Sequence, residues 1–285
     1  MNTIFKTPEF EKQYFELYET LLARWNVPTE SLDITTHFGV THINACGSKG
    51  TPPLVLLPGF GANSTMWFPN IAPLSSKFRV YAIDTNGQPG KSIPSQKLTA
   101  SNSAKWIVEV LDCLGLEKVN LTGISLGGWL TLNFAIHQPG RVKRIVLLDP
   151  AASLEKVSGA FLRHSFIPIM VHPTRSGLIK YFRWVTRGYI VDPNWGELML
   201  QGILNTRPQP PIRPIPFTDS ELRSVKIPVL LLIGERSVIY NPQRAYQRAT
   251  HLMPNLQAEI IPGASHALND EKAELVNARI LELCH

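Results

Sequence analysis

An α/β architecture built on a mostly parallel sheet is predicted by three features of this 285-residue chain. Short apolar runs recur at residues 53–57, 79–83, 118–122, 143–148, 228–233 and 258–261, each followed by Gly, Pro, Asp or Ser. The runs are continuous rather than alternating, as in strands covered on both faces. Helical periodicities lie between several of them, which makes βα units with right-handed crossovers the natural connection.

In chain order, residues 7–25 place Phe10, Tyr14, Leu17, Leu21 and Leu22 at helical spacing, so a packing helix is expected. Residues 31–38 and 40–46 alternate about Gly39, the pattern of a hairpin at a sheet edge. Helices are expected at 104–114, where Trp106, Ile107, Val110, Leu111 and Leu114 share a face, and at 126–138 and 271–283. Residues 151–225 interrupt the strand rhythm with an aromatic, mostly helical stretch that ends in the Pro-rich segment 207–216. That stretch is expected to be a lid or cap inserted into a core made of residues 1–150 and 226–285.

Composition narrows the function classes. With 44% apolar and 18% charged residues the chain is globular in character, and disorder is excluded as its main state. The net charge of +6 comes without a run of five Lys or Arg, which argues against a nucleic-acid partner. Cys46, Cys113 and Cys284 are odd in number and far apart, so free thiols are expected rather than a disulfide framework or a metal pair. Residues 1–10 hold no apolar signal core, and no stretch approaches 18 uncharged apolar residues. Neither a signal peptide nor a membrane span is expected, and a cytoplasmic location is the default.

The chemistry centres on Gly123-Ile124-Ser125-Leu126-Gly127, which follows one apolar run directly and precedes a helical pattern. A tight strand-to-helix turn needs small flanking residues for a serine hydroxyl to stand exposed above the sheet. A serine nucleophile needs a base, and His266 follows the last strand run through Pro262-Gly263-Ala264-Ser265. The developing oxyanion needs amide donors: the Leu126 N–H at a helix start, and the Phe60 N–H in the loop Pro58-Gly59-Phe60-Gly61. Trp67, Phe166, Met170 and Trp184 are candidates for an apolar substrate pocket, with core or cap packing as the alternative for each.

On these residues the chain resembles the α/β-hydrolase family, specifically its cap-bearing small esterases, over roughly residues 30–283. The loop Asp84-Thr-Asn-Gly-Gln-Pro-Gly-Lys-Ser92 belongs to the same likeness. The resemblance implies an eight-stranded sheet with helices on both faces and a Ser-His-acid triad. Two positions depart from the family pattern. Pro58 stands where the family usually has a His that braces the oxyanion loop, and proline fixes φ while removing an amide. The usual acid position, the Asp of a G-x-x-D turn, is Ser237 in Gly234-Glu235-Arg236-Ser237. Asp149, at the end of the preceding strand run, and Glu235 are the two candidate acids, and a site without an acid is the third possibility. In the resembling haloalkane dehalogenases some members supply their acid from the position of Asp149. Serine at the nucleophile separates this chain from those enzymes and from epoxide hydrolases, which use Asp there.

Other signals are set aside. Gly90-Lys91-Ser92 lacks the first glycine of a phosphate loop, since residue 85 is Thr. Asn63 and Asn120 match glycosylation sequons by chance, and Asp84 is expected to be structural. Asp270 is expected to cap the last helix. The expectation is therefore a serine hydrolase that cleaves a small-molecule carboxylic ester through an acyl-enzyme, needing neither metal nor organic cofactor. Thioester, lactone or carbon–carbon hydrolysis uses the same machinery, and a noncatalytic receptor on the same fold is the alternative from another class.

Overall fold

The computed structural model describes residues 4–207 and 212–284, so part of the Pro-rich segment, 208–211, lies outside the described residues. The first helix is α1 (Pro8–Ala23), followed by the hairpin β1 (Thr29–Thr36) and β2 (Gly39–Cys46). Then come β3 (Pro53–Leu57), α2 (Phe68–Ser75), β4 (Arg79–Ile83), the two-residue β5 (Ile93–Pro94), α3 (Ser103–Cys113), β6 (Val119–Ile124), α4 (Leu126–His137) and β7 (Val142–Leu148). Between β7 and the next strand stand α5 (Gly159–Ser165), α6 (Arg175–Val185), α7 (Pro193–Asn205) and α8 (Asp219–Ser224). The chain closes with β8 (Val229–Gly234), α9 (Pro242–Leu252), β9 (Leu256–Ile261), α10 (Leu268–Glu271) and α11 (Ala273–Cys284).

The strands form one sheet of order β1-β2-β4-β3-β6-β7-β8-β9, with β5 paired beside β2. From β4 to β9 every pairing along this path is parallel, and only the β1–β2 hairpin and its joints to β4 and β5 are antiparallel. The unbroken apolar runs follow from side chains alternating between two buried faces. Val55, Leu57, Leu121, Ile145, Leu147 and Leu231 pack under α3, α4 and α9. Leu54, Leu56, Val146, Leu148, Leu230 and Leu232 pack under α2 and α11. Each such fully buried side chain contributes about 1.5–3 kcal/mol relative to exposure. A strand with one wet face would not tolerate such a run.

The hairpin turns at His37 and Phe38, and Gly39 opens β2 with a φ of +108°. A Cβ there would lie 2.2 Å from the Ile93 carbonyl oxygen, so the turn and β5 together require glycine. The helix expected at the N-terminus is a packing element. Its Tyr14, Tyr18 and Leu21 are buried with Leu198 of α7. The expected cap on the last helix is corrected: Asp270 lies inside α10, whose N-cap is Ala267, and α11 starts only at Ala273. The chain turns into a helix earlier than the charge pattern indicates because the loop after His266 folds directly into α10. Among the described residues no helix is long and apolar enough to cross a membrane.

Candidate active site

The loops after β3, β4, β6, β7, β8 and β9 gather at the carboxyl ends of the strands. Strand order reverses around β3, which is where open α/β sheets form their clefts. Ser125 sits between β6 and α4 with φ +54° and ψ −117°, a backbone conformation that costs about 1–3 kcal/mol. The turn has no room for larger neighbours. A Cβ on Gly123 would lie 2.1 Å from the Gly127 carbonyl oxygen, and one on Gly127 would lie 2.0 Å from that of Leu57. The Ser125 amide donates to Leu148 O at 3.0 Å, and Ala151 N–H returns to Ser125 O at 3.0 Å, tying the elbow to the tip of β7.

The oxyanion loop lies against the elbow. A Cβ built on Gly59 would touch Ser125 Cβ at 3.5 Å, so the loop and Ser125 are in contact distance. Leu126 opens α4, so its N–H has no acceptor within the helix and sits at the positive end of the helix dipole. The next amide after Phe60 is held from the side: Gly61 N–H donates to Gln88 Oε1 at 2.8 Å. Gln88 in turn belongs to the loop organised by buried Asp84. That carboxylate accepts from Ser64 N–H and Lys91 N–H at 2.8 Å each and from Tyr18 OH at 3.0 Å. Asp84 is thus structural, and Gln88 carries its order to the oxyanion loop.

His266 and Asp149 meet across the strand tips. His266 Nδ1 lies 2.5 Å from Asp149 Oδ2, and Asp149 has no solvent exposure. Two hydroxyls also donate to this carboxylate, Ser237 Oγ to Oδ2 at 2.7 Å and Tyr240 OH to Oδ1 at 2.6 Å. A buried carboxylate is tolerable only when its lone pairs are met by donors, and here three side chains meet them. Burial, and next the nearby Asp149 charge, push the Tyr240 phenol well above its ordinary value, so Tyr240 stays a neutral donor. With Nδ1–H pointing at Asp149, His266 Nε2 carries the lone pair a base needs. Among the described residues Ser125 Oγ and His266 form no hydrogen bond, a contact that in ligand-free sites often tightens only around substrate.

The other candidate acid is engaged elsewhere: exposed Glu235 accepts from Gly263 N–H at 2.7 Å through Oε2. Ser237 holds Asp149 rather than the imidazole. The histidine loop folds back over the tip of β8, where a Cβ on Gly234 would lie 2.4 Å from Ser265 O. That close approach carries His266 past Glu235 to Asp149. Sequence reasoning gave no role to Tyr240, which lies in no motif, or to Gln88, which it held only as part of the Asp84–Ser92 loop. Tyr240→Phe leaves one Asp149 oxygen short of a donor, at a cost of about 1–3 kcal/mol. Urea unfolding should register that loss, and ester kinetics should show kcat falling while KM holds.

The pocket candidates are not brought together. Trp67 is corrected to a core residue, fully buried with Leu54, Leu56 and Ile71. Phe166 points to solvent, and Trp184 stacks on His164 with ring centroids 4.2 Å apart. Met170 is in the same segment as Phe166, and its side chain lies outside the described residues. Met199 and Ile203 of α7 instead flank Gly61, at 3.6 and 3.5 Å from the position its Cβ would take. A groove lined by Asn86, Gln88, Ser95, Leu98 and Ile212 includes neither Ser125 nor His266.

A second Ser-His-Asp grouping occurs at the sheet edge, where His42 lies 2.6 Å from Asp33 Oδ1 and 3.4 Å from Ser31 Oγ. Ser31 sits within an extended strand, with no helix start beside it to supply oxyanion amides. Beyond His266, Asp270 is pushed up to about 6, first by burial and next by the Asp192 charge. Its protonated form is favoured by folding, so its contribution to stability is present below about 4 and lost as pH rises through about 6. Asp270→Asn should therefore raise Tm at pH 8 and leave it unchanged at pH 3.5, as measured by calorimetry across that range.

Comparison with known proteins places these features in a wider set. The family model for the alpha/beta hydrolase fold matches residues 52–168. The carboxylesterase nap of Bacillus subtilis is 38% identical, the match covering 94% of this chain and 91% of nap. Carboxylesterase YbfK of the same organism is also 38% identical, over 98% of this chain and 96% of YbfK. The crystal structure of naproxen esterase from B. subtilis superposes with a TM-score of 0.92 at 36% identity, covering 98% of this chain and all of that one. That of CesB (YbfK) gives 0.91 at 37% identity, covering 97% of this chain and 98% of that one.

Proposed function

The chain belongs to the α/β-hydrolase family and is a carboxylester hydrolase, and we propose that it works through a Ser125–His266–Asp149 triad with the Phe60 and Leu126 amides as oxyanion donors. In this reading His266 Nε2 takes the Ser125 proton as Oγ attacks the ester carbonyl carbon. The carbonyl electron pair moves onto the oxygen, where the two amides stabilise it. Collapse breaks the carbon–oxygen bond to the alcohol, which leaves with the proton from His266. Water then gives a proton to His266 and attacks the acyl-enzyme, and the acid departs as Ser125 is restored. Asp149 keeps the imidazole in the tautomer that presents Nε2 and stabilises the imidazolium that forms twice in the cycle.

The observation that carries the assignment is the 2.5 Å contact between His266 Nδ1 and a buried carboxylate that Ser237 and Tyr240 also hold. In this reading Asp149 supplies the acid that Ser237 cannot, which favours catalysis over the noncatalytic receptor that the departures at Pro58 and Ser237 suggest. Residues 151–225, which hold α5 to α8, are proposed as a cap over the strand tips, with Met199 and Ile203 as its apolar contribution beside Gly61. A cytoplasmic home suits the free thiols of Cys46, Cys113 and Cys284. A fluorophosphonate probe tests the nucleophile directly. Peptide mapping should find the adduct on Ser125, and an adduct on Ser31 alone would overturn the assignment.

A further inference from the structure

Eight large apolar side chains stand exposed among the described residues, and seven of them lie between Leu162 and Ile215. Four cluster in one short stretch: Leu162 is 54% exposed, Phe166 61%, Ile167 62% and Val171 60%. That stretch continues α5 into a wide turn, Phe166–Val171, in which His172 N–H reaches back five residues to Ile167 O at 3.0 Å. At that winding the four side chains fall on one side of the segment. The opposite side is already satisfied, since Phe161 packs towards Tyr181 and Trp184 of α6. Among the described residues the outward face is therefore apolar without an intramolecular partner, and contiguous exposed apolar patches mark interaction surfaces.

The charge along this stretch of sequence is one-sided. No Asp or Glu occurs between Glu155 and Asp192, a span that holds Lys156, Arg163, Arg175, Lys180, Arg183 and Arg187. Arg175 is paired with Glu197, and the other five cations stand exposed around the two helices. A second copy of this chain would bring the same positive charge to the contact and be repelled. An anionic lipid surface meets both features at once, with acyl chains for the apolar side chains and headgroups for the cations.

We propose that the outer face of residues 159–187 docks this enzyme on anionic lipid surfaces. The docking does not depend on the triad assignment, and the test separates the two. Ser125→Ala protein is mixed with vesicles of phosphatidylcholine alone or of phosphatidylcholine and phosphatidylglycerol in equal parts, then floated on a density gradient. The protein should rise with the anionic vesicles at low salt and remain behind with the neutral ones. Each basic side chain near the surface adds about fivefold to binding, so about 0.5 M salt should release most of the protein. Leu162→Ser with Ile167→Ser, and Lys180→Glu with Arg183→Glu, should each reduce the floated fraction by about tenfold or more. The same pairs of changes in the Ser125 background should leave hydrolysis of a dissolved short ester unchanged, which checks that the fold survives. Absence of binding to anionic vesicles overturns the proposal, as does equal binding to neutral ones or binding that survives both pairs of changes. A dimer in sedimentation that Ile167→Ser disperses, without vesicle binding, would assign the face to a second copy instead.

Discussion

Ser125→Ala is expected to lower kcat for p-nitrophenyl esters by a factor on the order of 10⁶, with the fold intact. The change removes the attacking oxygen and nothing that positions it. Alanine occupies the φ of +54° no worse than serine, and the ties from the elbow to Leu148 and Ala151 use backbone atoms alone. The backbone amides of Phe60 and Leu126, the proposed oxyanion donors, stay in place, so a small rate above the uncatalysed reaction should survive. KM should move little, because substrate binding does not need the hydroxyl. Stopped-assay kinetics at high enzyme concentration, with a thermal melt on the same sample, would measure both. Undiminished turnover would sink the assignment and redirect attention to Ser31 and His42, whose substitution would then have to abolish activity.

Asp149→Asn should cost about ten-thousandfold in kcat, the loss that accompanies a histidine forced into the wrong tautomer. In the wild type Oδ2 accepts from both His266 Nδ1 and Ser237 Oγ. An amide NH₂ in that place is a donor facing two donors. His266 can then satisfy it only by making Nδ1 an acceptor, which moves the proton to Nε2 and removes the base. The substitution leaves the volume unchanged, so the kinetic loss should far exceed the loss of stability. Glu235→Gln should be nearly silent, because its one described contact is an exposed acceptance from Gly263 N–H that an amide oxygen reproduces. Parallel kcat/KM measurements on the two variants decide between the carboxylates. A severe Glu235→Gln beside a mild Asp149→Asn would transfer the acid role to Glu235.

The contrast between these two carboxylates shows where sequence reading ends. The sheet was legible because burial on both faces writes itself into consecutive residues: Leu54 and Leu56 face one layer while Val55 and Leu57 face the other. The elbow was legible because a sterically closed turn leaves glycine as the only residue that fits at 123 and 127. The loop that carries His266 was legible from its place after the last strand run. All of these are local consequences of backbone geometry. Nothing local distinguishes Asp149 from Glu235, since both follow strand runs that end at the same edge of the sheet. The separation depends on how the loop after β9 folds over Gly234, a contact between residues some thirty positions apart in the chain.

The same limit applies to Tyr240, Gln88 and the aromatic candidates. Tyr240 reaches Asp149 across 91 positions and Gln88 reaches Gly61 across 27, and hydrogen bonds of that separation leave no periodic trace. Trp67 and Phe166 are equally apolar on paper, yet one closes the core and the other faces water. Hydrophobicity states that a side chain gains by leaving water, whereas the packing of helices around it determines whether it does. The sequence by itself therefore determined the layers, the order of the candidate groups along the chain and the glycine-flanked turn at Ser125, because short-range sterics and burial dictate them. Only the tertiary structure decided which carboxylate meets the histidine, what holds that carboxylate, and which apolar residues remain outside, because each rests on distances between segments that chain order does not constrain.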